Sequence, residues 1–279
     1  MIQRSEVVKA NIESHDFYSK NHDFSVSYIR RKNCANYYFS MLLEAIKRHG
    51  LQIENSRILE IGCGTGTFTR KILENKASGL TLVDISPGMI DQAKRKFTNE
   101  KIMYLVSSLE ELKTKTDEKF DIIFSTSFLH HLYDLDEGIG CIKDLLSPNG
   151  VYIALHEPIL DRKISLVEKI DAYLERFESS LKYNFQGNNY WTGFHLIFKK
   201  YIKYCIKRLS INNKKLSNDM HKNENNEELV DYQLNFPFNL TSKFKDRSDI
   251  CVENYCYLVF SELMFFSRPL NHQMVFVNK

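Results

Sequence analysis

A glycine-rich turn, Gly62-Cys63-Gly64-Thr65-Gly66, separates a short apolar segment at 57–61 from a candidate helix at 67–74. The apolar segment is typical of a buried β-strand. Glycine residues let the backbone turn tightly and let a ligand approach the main chain closely. The first turn of the following helix presents N–H groups that have no partner within the helix. The order of strand, turn and helix therefore predicts a ligand-binding loop at the carboxyl end of a strand.

The alternation of apolar segments with candidate helices continues along the chain. Further strands are predicted at 80–84, 102–106, 120–124 and 151–155, and helices at 87–97 and 139–146. The second of these helices is followed by Ser147-Pro148-Asn149-Gly150, which is typical of a turn. Strands that alternate with helices at this spacing predict an α/β fold with a doubly wound, mostly parallel sheet.

Two stretches depart from the alternation. Residues 1–50 show helical spacing throughout, and 161–226 contains candidate helices at 166–181 and 194–209. Closing strands are predicted at 250–257 and 274–277. We therefore predict an N-terminal helical cap at 1–50, a Rossmann-like cofactor-binding core at 51–160, a helical insertion or lid at 161–226, and the C-terminal part of the core at 227–279.

Two acidic residues indicate what the glycine loop binds. The loop has the spacing Gly-x-Gly-x-Gly, whereas the dinucleotide fingerprint is Gly-x-Gly-x-x-Gly. Glu60 directly precedes the loop, and a carboxylate there would repel a pyrophosphate but suit a ligand with a positive amino group. Asp84 ends the second strand, where a carboxylate can accept hydrogen bonds from both hydroxyls of a ribose.

Four segments resemble the motifs of class I S-adenosylmethionine-dependent methyltransferases. They are Ile58–Gly66, Val83–Met89, Phe120–Phe124 with Leu129-His130-His131-Leu132, and Leu145–Val151. The resemblance covers about residues 55–158 and extends more loosely to the two closing strands. It implies a seven-stranded Rossmann-like sheet whose last strand is antiparallel, with S-adenosyl-L-methionine as cofactor and S-adenosyl-L-homocysteine as product.

The resemblance also implies cofactor contacts, residue by residue. Glu60, Gly62, Gly64 and Gly66 would line the methionine moiety, Asp84 would hold the ribose, Ile85 and Met89 would pack on the adenine, Ser108 and Leu109 would flank the adenine edge, and Ser125 would lie beside the transferred methyl group. The sequence departs from the family at Ser108, where an aspartate is usual. A serine oxygen can still accept a hydrogen bond from the adenine amino group, although more weakly than a carboxylate.

Histidines close to the expected methyl position are the catalytic candidates. His130 and His131 follow the fourth strand, and an imidazole there could take a proton from an acceptor at neutral pH. His156 and Glu157, after the fifth strand, and Trp191 in the insertion are candidates for substrate contact, and Arg30 is one for the cofactor carboxylate. Methyl transfer from a sulfonium also proceeds by positioning and desolvation alone, so a base is optional.

The acceptor is predicted to be a small molecule, methylated at oxygen, nitrogen or carbon. Ser125-Thr126-Ser127-Phe128 lacks the Asn/Asp-Pro-Pro-Tyr/Phe pattern of enzymes acting on amide or adenine nitrogens, and the Pro-Cys of cytosine carbon methyltransferases. A net charge of +3 gives no reason to expect an obligate nucleic-acid partner. Three alternatives stay open: an RNA or protein methyltransferase that uses a basic run at 199–215, a non-catalytic cofactor-binding module, and a nicotinamide-dependent oxidoreductase, which the loop disfavours.

The remaining sequence features bear on location and assembly. The six cysteines form no Cys-x-x-Cys pair, so no metal site is indicated. The first ten residues lack the apolar block of a secretory signal, and no apolar run reaches the ~20 residues that a membrane-spanning helix needs. We therefore expect a cytoplasmic monomer or homodimer without a membrane partner.

Overall fold

A computed structural model describes residues 2–19, 32–98, 102–158, 229, 239–260 and 267–278. The chain divides into two compact units, one made of Met1–Asp161, Asn226–Tyr257 and Leu270–Lys279, the other of Arg162–Asn225 and Leu258–Pro269. Several predicted features lie outside the described residues: Arg30, the candidate helices at 166–181 and 194–209, the basic run at 199–215, and Trp191.

Seven strands form one sheet in the order β3-β2-β1-β4-β5-β7-β6. They are β1 (Arg57–Ile61), β2 (Gly79–Asp84), β3 (Ile102–Val106), β4 (Phe120–Thr126), β5 (Leu146–Pro158), β6 (Ile250–Phe260) and β7 (Ser267–Asn278). Strands β1 to β5 pair in parallel, and β7 runs antiparallel to β5. The predicted mostly parallel, seven-stranded α/β sheet is confirmed.

The described helices flank this sheet. They are α1 (Arg4–Tyr18), α2 (Lys32–Arg48), α3 (Thr69–Glu74), α4 (Pro87–Lys96), α5 (Leu109–Lys115), α6 (Leu135–Leu145) and the short α7 (Leu240–Lys243), with a 3₁₀ turn at Leu129–His131 between β4 and α6. Among the described residues, we find no helix with the length and apolar character needed to cross a membrane.

Several boundaries differ from the prediction; β7, for example, begins at Ser267 rather than at 274. Helix α6 begins at Leu135 rather than at 139, because the Asp134 side chain caps it by accepting the Glu137 N–H at 3.0 Å. Strand β5 begins at Leu146 rather than at 151, because Leu146 already pairs with Phe120 of β4. Regular pairing resumes at Val151, so the expected turn forms an irregularity within the strand. Gly150 permits this close pairing, because a Cβ there would lie 2.8 Å from the Phe120 carbonyl oxygen.

The central strands are buried on both faces, as a parallel sheet covered by helices requires. Successive side chains of a strand point to opposite faces. In β1, neighbouring Ile58 and Leu59 are 1% and 0% exposed, so helices cover both sides of the sheet. The strand order reverses at β1, where β2 lies on one side and β4 on the other. The loops that leave β1 and β4 therefore diverge and open a crevice at the carboxyl ends of these strands.

Candidate cofactor and active site

The glycine loop after β1 has a backbone that only glycine adopts readily. Gly62, Gly64 and Gly66 have φ angles of 63°, 53° and 79°, in the left-handed region. A Cβ at Gly62 would lie 2.8 Å from the Phe128 ring, and one at Gly66 would lie 2.7 Å from the Phe97 ring. The loop therefore needs its glycines both for conformation and for close packing.

Asp84, at the end of β2, points toward this loop. Its Oδ2 accepts the Gly64 N–H at 2.8 Å, and its Oδ1 accepts the Ser86 N–H at 2.9 Å. The residue is 7% exposed and lines the cavity beside the loop. Since each carboxylate oxygen can accept more than one hydrogen bond, both oxygens keep capacity for a ligand hydroxyl.

Glu60, at the other side of the loop, is a buried acid whose ionisation is suppressed. It is 4% exposed, and its Oε2 accepts the Thr69 hydroxyl at 3.2 Å. Desolvation by burial raises the pKa of Glu60 to about 8; the Thr69 hydrogen bond lowers the pKa, and the charge of Asp84 raises it further. A cation that approached Glu60 would favour the ionised form, so this carboxyl is suited to an ammonium group.

The two acids face one cavity of about 240 Å³, a volume close to the lower end for small-molecule sites. Of the residues predicted to contact cofactor or substrate, those that line it are Glu60, Gly62, Gly64, Asp84, Ile85, Met89, Ser108, Leu109 and His131. Within the described part of the chain, the lining does not include Gly66, Ser125, His130, His156 or Glu157. The lining also contains Thr126, whose buried Oγ1 has no hydrogen-bond partner in the described structure.

Two of the predicted serines already have partners in the protein. Ser108 is the N-cap of α5, where its Oγ accepts the Glu111 N–H at 3.3 Å. Ser125 is fully buried, and its Oγ lies 2.7 Å from the Tyr152 hydroxyl. Ser108 thus reaches the cavity as a capping residue, whereas Ser125 packs inside the sheet.

The predicted histidines form a cluster built on Glu157. This fully buried carboxylate accepts the N–H groups of Phe128 and Leu129 at 2.8 and 2.9 Å, and it lies 2.9 Å from Nδ1 of His130. The ring of His131 lies 4.2 Å from that of His130 between centroids. Glu157 therefore shapes the 3₁₀ turn, and the turn places His131 in the cavity lining.

His156 belongs to a neighbouring strained pair. Its Nδ1 lies 2.6 Å from Oγ of Ser127, and the two residues have φ angles of 60° and 53°. Positive φ angles at non-glycine residues are uncommon and persist where the surrounding structure enforces them. Ser127 lines the cavity, so this pair supports the wall of the cavity beside β4 and β5.

Helix α1 supplies lining residues that our sequence analysis missed. Val7, Val8, Asn11 and His15 line the cavity, and the His15 ring lies 5.3 Å from the His131 ring. Three of these residues recur every four positions, a spacing that places them on one helical face. The spacing of four residues could have indicated this face. It was missed because the face mixes valine with asparagine and histidine, and a helical face is usually recognised by apolar residues.

Replacement of Glu157 by alanine is expected to lower the free energy of unfolding by about 2–5 kcal/mol. The change leaves two buried backbone N–H groups without an acceptor, and each unsatisfied group costs about 1–3 kcal/mol. Urea denaturation of both proteins measures the loss. Glu118→Ala, at an exposed acid, is the control and should change stability by less than about 0.5 kcal/mol. Equal stability of the Glu157 variant and the wild type would contradict this assignment.

The polar groups of the site suit a ligand that carries both an amino group and a ribose. Among the described residues, no group of three or more His, Cys, Asp and Glu side chains could hold a metal ion. A glycine loop at the end of β1, an acid at the end of β2 and a second buried acid before the loop share one cavity. Fold and site together define a Rossmann-like domain of the class that binds S-adenosylmethionine.

Comparison with known proteins agrees with this class. Residues 59–152 match the family model described as a methyltransferase domain. The chain therefore contains a class I S-adenosylmethionine-dependent methyltransferase domain, as the resemblance of its motifs predicts, and S-adenosylmethionine is the cofactor of that class.

Individual relatives cover only part of the chain. The ubiquinone biosynthesis O-methyltransferase of Rickettsia bellii (strain OSU 85-389) is 27% identical over 154 residues, which cover 54% of this chain and 61% of that protein. A malonyl-acyl-carrier-protein O-methyltransferase of Ilyobacter polytropus is 33% identical over 126 residues, which cover 40% of this chain and 46% of that protein. The chain thus spans less than two thirds of the length of these curated relatives.

A solved structure matches over nearly the whole length. The plantazolicin methyltransferase BpumL, solved in complex with S-adenosylhomocysteine, superposes with a TM-score of 0.51. The match covers 98% of this chain and 96% of that one at 17% sequence identity. At this identity, the likeness shows a shared fold.

Proposed function

We propose that this chain transfers a methyl group from S-adenosylmethionine to a small-molecule acceptor, at oxygen, nitrogen or carbon. The observation that carries the proposal is the placement of Glu60 and Asp84 on one cavity, beside the glycine loop. A cationic amino acid and a ribose are the two ends of the cofactor that acids recognise, and the cavity offers one acid for each.

The other lining residues fit the remaining parts of the cofactor. Ile85, Met89 and Leu109 provide an apolar surface for the adenine, and Ser108 offers a hydroxyl at its edge. Gly62 and Gly64 place the backbone of the loop in the cavity lining, where the methionine part would lie. The buried Oγ1 of Thr126 fits a role as a hydrogen-bonding contact with a bound ligand, because a buried hydroxyl without a partner is costly.

The cofactor supplies an electrophilic methyl group on a sulfonium, so the protein has to position the acceptor and exclude water. We assign His131 to the acceptor side, because it lines the cavity while His130 is buried behind it. The Glu157 carboxylate holds His130, and His130 packs against the His131 ring. His131 would then accept a proton from an acceptor hydroxyl, amine or carbon acid, with Glu157 and His130 as positioning residues.

The names of two relatives favour oxygen as the acceptor atom. One is a ubiquinone biosynthesis O-methyltransferase, and another is a malonyl-acyl-carrier-protein O-methyltransferase. Both names describe methyl transfer to oxygen, which makes O-methylation the first reaction to test.

Replacement of His131 by alanine is expected to slow methyl transfer about a hundredfold while S-adenosylhomocysteine still binds. General acid–base residues contribute rate factors of about 10² or more, and the variant keeps the acids assigned to the amino group and the ribose. The rate is measured as transfer of a labelled methyl group to the metabolite fraction that the wild type labels. His49→Ala, remote from the cavity, is the control. A His131 variant as fast as the wild type would contradict the role of His131 as a base. Catalysis would then depend only on positioning of the acceptor.

Two binding titrations and one transfer assay test the proposal as a whole. We expect calorimetry to detect binding of S-adenosylhomocysteine and no binding of NAD. The labelled methyl group should then appear in a small-molecule fraction of an extract. Label in RNA or protein would favour a macromolecular acceptor instead, and binding without transfer would favour a non-catalytic module. Binding of NAD alone would overturn the proposal.

A further inference from the structure

Helix α1 forms part of the wall of the cavity assigned to the cofactor. Its residues Val7, Val8, Asn11 and His15 line the cavity beside the glycine loop and the acids. Val7 and Asn11 are 1% and 5% exposed, so this face of the helix is buried against the domain. A ligand bound in the cavity would therefore contact α1.

The C-terminal end of α1 is fastened to the N-terminus of α4. Oδ1 of Asp16 accepts the Gly88 N–H at 2.8 Å and also accepts the Ser86 hydroxyl. Ser86 is the N-cap of α4, and its own N–H donates to Oδ1 of Asp84 at 2.9 Å. Ser86 therefore bonds both to the acid that fastens α1 and to the acid assigned to the ribose.

The N-terminal end of α1 is fastened less strongly. The Arg4 guanidinium pairs with the Glu137 carboxylate, with Nη1 to Oε1 at 2.8 Å, and both side chains are 41% exposed. The Tyr133 hydroxyl donates to the Ile2 carbonyl at 3.3 Å. Because exposed ion pairs contribute little, α1 is held mainly by the burial of Val7 and Ala10, and the hydrogen bonds of the exposed Asp16 fix its C-terminal end next to α4.

We propose that α1 is a movable wall of the cofactor site, and that Asp16 is the positioning residue that holds it closed. The inference rests on the proposed binding of S-adenosylmethionine, and it adds that cofactor exchange requires α1 to detach. A ribose bound to Asp84 would affect the hydrogen bond between Asp84 and Ser86. Since Ser86 also bonds to Asp16, the effect would reach the contact that holds α1. The bound ligand and the closed helix would therefore stabilise each other.

Loss of the Asp16 carboxylate should speed cofactor release. We expect Asp16→Ala to raise the dissociation rate of S-adenosylhomocysteine about tenfold, because hydrogen bonds to a carboxylate are lost from the closed state. Asp16→Asn keeps an Oδ1 acceptor for both donors and should restore a rate close to that of the wild type. Glu13→Ala removes an exposed acid from the same helix and is the matched control.

A disulfide at the same junction should have the opposite effect. A Cβ built at Gly88 lies 3.2 Å from the Cβ of Ser19, close to the ~3.5–4.5 Å of bridged cysteines. In the Ser19→Cys/Gly88→Cys double variant, oxidation should slow both association and dissociation of S-adenosylhomocysteine at least about tenfold. Dithiothreitol should restore both rates, and the Ser19→Cys single variant should show no such redox dependence.

Stopped-flow measurement of S-adenosylhomocysteine binding to the full chain decides between the outcomes. Faster release in Asp16→Ala with rescue in Asp16→Asn supports the movable wall, as does redox-dependent exchange in the double variant. Wild-type release in Asp16→Ala would overturn the inference, and so would equal rates in the oxidised and reduced double variant. Absence of binding to the wild type would instead refute the proposed function, which keeps the two failures distinct.

Discussion

Replacement of Asp84 by alanine is expected to weaken S-adenosylhomocysteine binding by about 10²- to 10⁴-fold. The variant removes the acceptor assigned to both ribose hydroxyls, and hydrogen bonds to a charged group contribute about 1.5–3 kcal/mol each. It also frees the Gly64 and Ser86 N–H groups that Asp84 now orients. Both effects act on the same ligand, so this substitution should have the largest effect on affinity.

Two further variants separate ligand recognition from loop support. Asp84→Asn keeps one side-chain oxygen but loses the charge, so its affinity should lie between those of the wild type and Asp84→Ala. Asp91→Ala removes an exposed acid from the neighbouring helix and should leave affinity unchanged. Calorimetry gives each affinity, and thermal unfolding confirms that each variant is folded. Wild-type affinity in a folded Asp84→Ala protein would refute the ribose assignment.

Replacement of Glu60 by glutamine is expected to stabilise the protein at high pH while weakening cofactor binding. Burial holds the pKa of Glu60 at about 8, against an ordinary value of 4.5. The folded state therefore retains a proton that the unfolded state releases, and stability falls as pH rises from 4.5 to about 8. The full loss above that range is on the order of 4 kcal/mol, which the neutral glutamine avoids.

The measurement compares unfolding free energies at two pH values. Glu60→Gln should match the wild type near about pH 5 and exceed its stability by several kcal/mol near about pH 9.5. Glu54→Gln, at an exposed position, should show no such difference. The Glu60 variant should also bind S-adenosylhomocysteine about 10- to 100-fold more weakly, because the ammonium loses its charged partner. A Glu60 variant that is no more stable than the wild type at high pH would contradict the burial of an ionisable carboxyl there.

Local sequence signals were sufficient to predict that Glu60, Asp84 and the glycine loop lie together. The two acids lie at the ends of β1 and β2, and the glycine loop follows β1 directly, so strand prediction alone places them at one edge of the sheet. Parallel pairing of β1 with β2 then sets Ile61 beside Val83, next to the loop and Asp84. Short-range patterns, together with the rule that ligands bind at the carboxyl ends of parallel strands, are enough to predict this arrangement.

The arrangement of residues around His131 depends on contacts between distant parts of the chain, which periodicity does not reveal. Glu157 meets the turn at Leu129–His131 only because β4 and β5 are neighbours in register. His15 reaches His131 because α1 packs over the cavity, and nothing in the sequence near His15 indicates that destination. The early start of β5 was missed for a related reason, since it depends on the pairing of Leu146 with Phe120 in β4, while residues 147–150 form the irregularity that follows.

A crystal structure of the full chain with S-adenosylhomocysteine tests most directly whether one cavity holds both ends of the cofactor. We expect density in the cavity with the ribose hydroxyls within hydrogen-bonding distance of Asp84 and the amino group within that distance of Glu60. Density that places the ribose away from Asp84, or the amino group away from Glu60, would contradict the site described above.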